Sequence, residues 1–369
     1  MVTNSETGIT DSSEMRGVKF ILWAVMQIFL ISMLICAILI VLLRKWAHRW
    51  GIVDLPGGRK NHEQPTPTVG GLAMFIALLA TLHVSHSLQG NIEILMGCAA
   101  ALVILGLLDD KHEMSVSMRM MIQVFLVTVV IVGAGGTVTH LGGGLGRDIP
   151  LGIFAVPFSV VAFVGGINSI NMIDGADGMA GKMALITTLG VSTIFYVSGA
   201  VELLPLTWAM LGTLVGFLFL NSRLFVKRAW VFMGNSGSMW LGLILGWFMA
   251  QITQGRVSAE PALVLWLFGI PLIDTLAVMT RRVKQKRSPF SPDHTHIHHL
   301  LQRNGYSVRD SVLILSSAQM VLVGVGVLFY FVHAPALLVF WSFVLLLGAY
   351  FFWLRYPKWP WHSRYVSPK

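Results

Sequence analysis

Four short polar clusters interrupt an otherwise apolar chain, and each carries side chains suited to phosphate or metal chemistry. Asp109 and Asp110 are adjacent carboxylates at the end of the apolar run Leu105-Gly106-Leu107-Leu108. Like charges this close repel and favour a cation or a shared proton between them, which suits divalent-metal binding or proton abstraction. An isolated pair of this kind could also be a solvated helix end. Asn168 to Gly178 holds the amides of Asn168 and Asn171, the carboxylates of Asp174 and Asp177, and Gly175 and Gly178. The spacing is not that of an EF-hand, but the amides and acids offer hard oxygen donors, and the glycines let a ligand approach the backbone. Phe232 to Ser238 places small residues before another apolar stretch, as a helix cap, a close-packing surface or a helix start that takes phosphate. In the fourth cluster His294, His296, His298 and His299 follow Arg281, Arg282, Lys284, Lys286 and Arg287. No cysteine accompanies them, and imidazoles among cations suit an anionic phosphate as well as a metal.

The elements that must position these clusters are membrane helices. Of 369 residues 55% are hydrophobic and 12% charged, against a charged fraction of roughly 25% in soluble domains. This excludes a disordered chain, a collagen-like repeat and a disulfide scaffold; Cys36 and Cys98 lie in apolar runs and act as small hydrophobes. Apolar stretches near 20–43, 69–88, 91–108, 118–134, 151–168, 179–198, 202–220, 238–253, 261–279, 311–331 and 335–354 predict about eleven transmembrane helices. The first is too long for a cleaved signal peptide and no small-residue cleavage site follows it. Backbone exposed to lipid must satisfy itself, and no alternating strand pattern appears, so the expected fold is an all-α polytopic bundle. Gly212, Gly216, Gly242 and Gly246 recur at four-residue spacing and would permit close helix contact. The expected organisation is a polar, disordered N-terminal tail over 1–19, a transmembrane domain over 20–354, and a basic tail over 355–369.

The net charge of +9 has a spatial order. With eleven spans and the first loop inside, 22 of the 26 Lys and Arg fall on the cytoplasmic side, which puts the N-terminus in the periplasm and the C-terminus in the cytoplasm. The basic run then reads as an anchor for anionic lipid, and nucleic acid is not an expected partner. All four polar clusters fall on the same inner face, although none of them entered the charge count. They therefore predict one site at the inner leaflet. His83, His86 and His140 fall on or near the other face as interface residues, and no internal repeat is evident.

Taken together, the chain resembles the polyprenyl-phosphate N-acetylhexosamine-1-phosphate transferases. The motifs run in order from Asp54-Leu55-Pro56, Arg59-Lys60-Asn61-His62 and Val69-Gly70-Gly71 through Leu108-Asp109-Asp110, Asn168 to Gly178 and Phe232 to Ser238. They continue with Pro271-Leu272-Ile273-Asp274, Ser288-Pro289-Phe290-Ser291-Pro292-Asp293 and His296-Ile297-His298-His299. The last stretch is more similar to the bacterial undecaprenyl-phosphate GlcNAc-1-phosphate transferases than to the peptidoglycan-precursor enzyme. The resemblance implies transfer of a HexNAc-1-phosphate, GlcNAc by default, from a UDP-N-acetylhexosamine to undecaprenyl phosphate, with release of UMP. That step would start a lipid-linked surface polysaccharide at the cytoplasmic face of the bacterial inner membrane. It implies a Mg²⁺ cofactor, with Mn²⁺ as a substitute, and is compatible with a homodimer.

Matched position by position, Asp109 and Asp110 are the paired catalytic acids, with Asp109 the choice for the base. Asn171 and Asn235 fall at metal positions, and Asp177 at the uracil position. Asp174 would serve nucleotide or sugar, while Lys60, His62, His296, His298 and His299 would contact diphosphate and sugar. One position departs from the pattern. Where the family reads Phe-Met-Gly-Asp, this chain has Asn235, which offers a carbonyl oxygen but no charge to a cation reluctant to shed water. Metal affinity or turnover is accordingly expected to suffer. The competing class is a transporter or lipid-binding protein on the same scaffold, but polar clusters confined to one face predict access from one side only.

Overall fold

The computed structural model describes residues 7–54, 65–175, 178–226, 228–254, 257, 259–288 and 296–355. Its helices are α1 (Thr7–Trp50), α2 (Gly70–Val84), α3 (Asn91–His112), α4 (Val116–Gly133), α5 (Ala155–Ile173), α6 (Met179–Val197) and α7 (Leu204–Asn221). They continue with α8 (Gly234–Thr253), α9 (Leu263–Leu267), α10 (Gly269–Lys284), α11 (Ile297–Arg303), α12 (Val308–Phe331) and α13 (Ala336–Arg355). Among the described residues the only sheet is a short antiparallel pair, β1 (Val53–Asp54) with β2 (Thr66–Pro67), in which Val53 faces Pro67 and Asp54 faces Thr66. Eight helices are long and apolar enough to cross a membrane: α1, α3, α4, α5, α6, α7, α12 and α13. On α1 the side chains of Phe20, Trp23, Leu30, Leu34 and Ile38 are exposed at helical spacing, a face suited to lipid. The chain is an all-α, multi-pass membrane protein.

Every one of the eleven apolar stretches is helical, but they are not eleven equal spans. The second, α2, has only 15 residues. The stretch at 261–279 is two helices, α9 and α10, meeting at Phe268. A break inside a bundle strands backbone groups, and here Gln319 of α12 takes them up. Its Oε1 accepts from Ile270 N at 2.9 Å, and its Nε2 donates to Leu267 O at 2.9 Å and to Thr187 Oγ1 at 3.0 Å. At the other end of the chain, α1 begins at Thr7, within the stretch read as a disordered tail. Once the apolar run has nucleated a helix, extending it into adjacent residues costs little.

The centre of the bundle is α8, buried from Ser236 to Ile252 except at Gly246. A helix apolar on every side belongs in the core, and α2, α3, α5 and α6 surround this one. Close approach is set by glycine. A Cβ on Gly242 would meet Ile167 Cα of α5 at 2.5 Å, and one on Gly216 would meet Met33 O of α1 at 2.6 Å. Gly242 against α5, and Gly106 of α3 against Ser236 of α8, set how closely the C-terminal ends of α3 and α5 pack on α8, and that junction holds the polar network.

Candidate active site

Asp109 and Asp110 lie in the last turn of α3, where the negative end of the helix dipole disfavours carboxylates. The local sequence compensates. Glu113, in the left-handed region at φ 47°, ends α3, and Ser115 opens α4 two residues later by accepting a hydrogen bond from Met118 N. The turn is tight enough that Arg119, in the first turn of α4, folds back over Asp109. Arg119 Nη1 lies 2.6 Å from Asp109 Oδ2, and Met114 N donates to Asp109 Oδ1 at 3.0 Å. Asp109 is 4% exposed, with both oxygens engaged.

Asp110 faces the start of α8. That helix has no side-chain cap of its own. Asp110 supplies one from another helix: its Oδ1 accepts from Asn235 N at 3.1 Å. Gly234 makes this possible twice over, since its φ is +71° and a Cβ there would sit 2.5 Å from Asp110 Oδ2. Oδ2 is buried and accepts no hydrogen bond from the described residues. Asp54, at the end of β1, is near enough to interact with the Asp110 charge.

Asn235 closes the network. Its Nδ2 donates to Asp109 Oδ2 at 2.8 Å, and its Oδ1 accepts from Asn171 Nδ2 at 2.6 Å. Asn171, on the last turn of α5, also donates to Ser238 Oγ at 2.8 Å. Asn168 looks elsewhere: its amide bonds Gln123 Oε1 and Val164 O, tying α5 to α4 outside the network. The segment before α8 is held by backbone pairing. Phe232 N donates to Pro67 O at 2.7 Å, and Gly70 N and Gly71 N donate to Phe232 O and Met233 O.

Just beyond Asn171, the chain reaches the histidines. A Cβ on Gly175 would lie 2.6 Å from His298 Nε2, so the backbone after Asp174 packs directly on that ring. His298 is fully buried, and neither ring nitrogen has a partner among the described residues. Its ring lies parallel to that of His296, 5.8 Å between centroids, and 4.0 Å from that of His299. Desolvation, with repulsion from His299 and then His296, lowers the His298 pKa from 6.5 to about 3. Lys60, His62 and Asp177 lie outside the described residues.

Two predictions follow from this geometry. His298 stays neutral in the fold, whereas in the unfolded chain it takes a proton below about pH 6.5. The native state therefore loses stability as pH falls from about 6.5 towards 3, by at most about 1.4 kcal/mol per pH unit for one proton. Denaturation of His298→Gln in detergent should show a shallower decline than wild type between pH 7.5 and 5. Secondly, a Cβ on Gly106 would overlap the backbone of Ser236 and lie 2.6 Å from Asn235 C, atoms that cannot rotate away. Gly106→Ala should lose about 1–3 kcal/mol of stability through overpacking. Gly97→Ala on the same helix, with nothing within 4 Å of the new methyl, should lose none when the two are melted side by side.

Asp109, Asp110, Arg119, Asn171, Asn235 and Ser238 all fall within residues 92–253, the part of the chain that matches the model of glycosyl transferase family 4. Over 287 residues the chain is 34% identical to the undecaprenyl-phosphate alpha-N-acetylglucosaminyl 1-phosphate transferase of Yersinia pestis, covering 77% of this chain and 79% of that one. This chain belongs to glycosyl transferase family 4. Two more relatives of the family cover it equally well. The protein of the same name in Escherichia coli K12 is 33% identical over 292 residues, 79% of this chain and 80% of that one. A probable undecaprenyl-phosphate N-acetylglucosaminyl 1-phosphate transferase of Bacillus subtilis is 32% identical over 291 residues, 78% and 80%.

For a family 4 member, the network differs from the sequence-based expectation in two ways. The span expected to end at 168 continues as α5 to Ile173, so Asn171 is on a helix. Arg119 and Ser238 belong to the network, although Arg119 figured only as a topological charge and Ser238 only as the end of a small-residue motif. Among the described residues no three His, Cys, Asp or Glu side chains converge as a metal site. The oxygens suited to a hard divalent cation here are Asp110 Oδ2, which is buried with no hydrogen-bond partner among the described residues, and the neutral amide oxygens of Asn171 and Asn235.

Proposed function

We propose that this chain transfers N-acetylhexosamine-1-phosphate, with GlcNAc as the sugar, from a UDP-sugar to undecaprenyl phosphate at the cytoplasmic face of a bacterial inner membrane. A phosphate oxygen of the lipid attacks the phosphorus next to the sugar, the diphosphate P–O bond to UMP breaks, and UMP leaves. The observation that carries the reading is the meeting of Asp109, Asp110, Asn171 and Asn235 in one hydrogen-bonded network at the end of a membrane bundle, beside the buried histidines. One substrate is an insoluble lipid and the other a soluble nucleotide, so a site at a bundle end suits both.

A phosphate monoester already carries an ionised oxygen near pH 7, so the chemistry needs alignment and charge neutralisation more than a base. The base role therefore gives way. Asp109, fixed by Arg119 and Met114 N, is the positioning acid that aims Asn235, and Asp110 is the acid with an oxygen to offer. Mg²⁺, or Mn²⁺ in its place, would be held by Asp110 with the amide oxygens of Asn171 and Asn235, and would offset the diphosphate charge. His296, His298 and His299 would meet the diphosphate and sugar, with Asp174 serving nucleotide or sugar; the backbone at Gly175, the residue after Asp174, packs on the His298 ring.

Turnover with a panel of UDP-sugars, with and without Mg²⁺, tests the assignment. UMP should appear only when undecaprenyl phosphate is present, and fastest with UDP-GlcNAc. Lipid or nucleotide flux across proteoliposomes without UMP release would overturn it.

A further inference from the structure

Asp274, on α10, is 3% exposed and stands outside the polar network of α3, α5 and α8. Both its oxygens serve the histidine segment: Oδ2 lies 2.8 Å from His296 Nδ1, and Oδ1 accepts from Ile297 N at 2.9 Å. His296 precedes α11, whose own sequence provides no side-chain cap. One carboxylate thus caps α11 and fixes the ring in front of it. Because a carboxylate only accepts, the proton of the neutral ring must sit on Nδ1, which leaves Nε2 as the nitrogen available to a ligand. The hold extends to the rest of the array, since His298 is stacked parallel to His296 and His299 lies 6.1 Å from it. It also extends to the network. Ser169 of α5, two residues before Asn171, donates to Pro271 O at 2.6 Å and lies 2.7 Å from Thr275 Oγ1, so α10 is tied to the helix that carries Asn171.

We propose that Asp274 is a positioning residue of the transferase: it fixes the His296 tautomer and the start of α11, so that His296 presents Nε2 to the substrate. This rests on the transferase reading above.

Asp274→Asn keeps the side-chain volume, but one amide cannot accept from both Nδ1 and Ile297 N. With histidine labelled in ¹³C and ¹⁵N, the ring shifts of His296 should report the Nδ1-protonated tautomer in the wild type and its loss in Asp274→Asn. Turnover of Asp274→Asn should fall by about 10- to 100-fold, the scale on which losing the outer hydrogen-bond partner costs a metal-bound imidazole. In a His296→Ala background the same change should cost less than twofold, because its route of action is gone. Melting curves of the four proteins establish that each is folded. An unaltered His296 tautomer in Asp274→Asn, or losses that multiply in the double variant, overturns the proposal. A wild type that releases no UMP would remove the transferase reading instead, and the tautomer measurement would still decide whether Asp274 governs His296.

Discussion

Asn235→Asp should convert a protein whose melting temperature hardly responds to Mg²⁺ into one that Mg²⁺ stabilises strongly. In the wild type the carboxamide satisfies its neighbours without a cation: Nδ2 donates to Asp109 Oδ2 at 2.8 Å, and Oδ1 accepts from Asn171 at 2.6 Å. Replacing that NH₂ by a carboxylate oxygen brings two anionic groups into contact where a hydrogen bond stood. Two unit charges 4 Å apart at an effective dielectric of 20 repel by about 4 kcal/mol. The variant should therefore melt below wild type in chelator. A divalent ion reverses the sign, because the oxygens that repelled each other now share it beside Asp110. At Mg²⁺ concentrations about a hundredfold above the dissociation constant, binding to the native state alone adds about 2.7 kcal/mol. If Mg²⁺ is the cofactor and Asn235 holds it weakly, turnover should also rise by an order of magnitude or more. Equal Mg²⁺ responses in the two proteins would show that position 235 does not touch the ion. A strong thermal response with no gain in turnover would mean that the amide bridge is as competent as a carboxylate.

What the sequence revealed of this site, and what it hid, follows from the range of the forces involved. Asp109, Asp110, Asn171 and Asn235 were legible because polar groups at membrane depth stand out against an apolar background. Their convergence could be anticipated from the distribution of Lys and Arg, since that signal depends on topology rather than contacts. Arg119 was legible only as one of those charges. Its pairing with Asp109 depends on the left-handed Glu113 and the Ser115 cap, which turn α4 back on α3 within three residues. The division of 261–279 into α9 and α10 leaves no mark on hydropathy, because the group that satisfies the break is Gln319, contributed by α12. Gly71 and Gly106 look like ordinary glycines of apolar runs until α8 is packed on them. A Cβ at either would run into the backbone of Gly237 or Ser236. Lys60, His62 and Asp177 lie outside the described residues, so for them only the sequence reading stands.

Asp109→Asn and Asp110→Asn should fail in different ways, and the contrast separates the acid proposed to aim Asn235 from the one proposed to hold the cation. The Asp109 side chain is 3% exposed and paired with an Arg119 side chain that keeps 24% of its surface exposed. Removing one partner of a buried ion pair costs roughly 3–5 kcal/mol, and the part-exposed guanidinium puts this case at the lower end. Asp109→Asn should melt well below wild type. Its turnover should fall with the loss of folded protein and of the aim it gives Asn235. In Asp110→Asn the amide oxygen can still accept from Asn235 N, so the cap on α8 survives, and the buried carboxylate oxygen that has no hydrogen-bond partner among the described residues is gone. Its melting temperature should match or exceed that of the wild type. Turnover should drop about a thousandfold, on the order of 4 kcal/mol of lost charge stabilisation for the transferring phosphoryl group. The two numbers need to be read together, since folded protein with no activity is the signature expected at 110 and unstable protein the one expected at 109. The reverse pattern, with Asp109→Asn stable but inactive and Asp110→Asn unstable but active per folded molecule, would return the chemical role to Asp109. Arg119 would then be the group that moves aside when substrate binds.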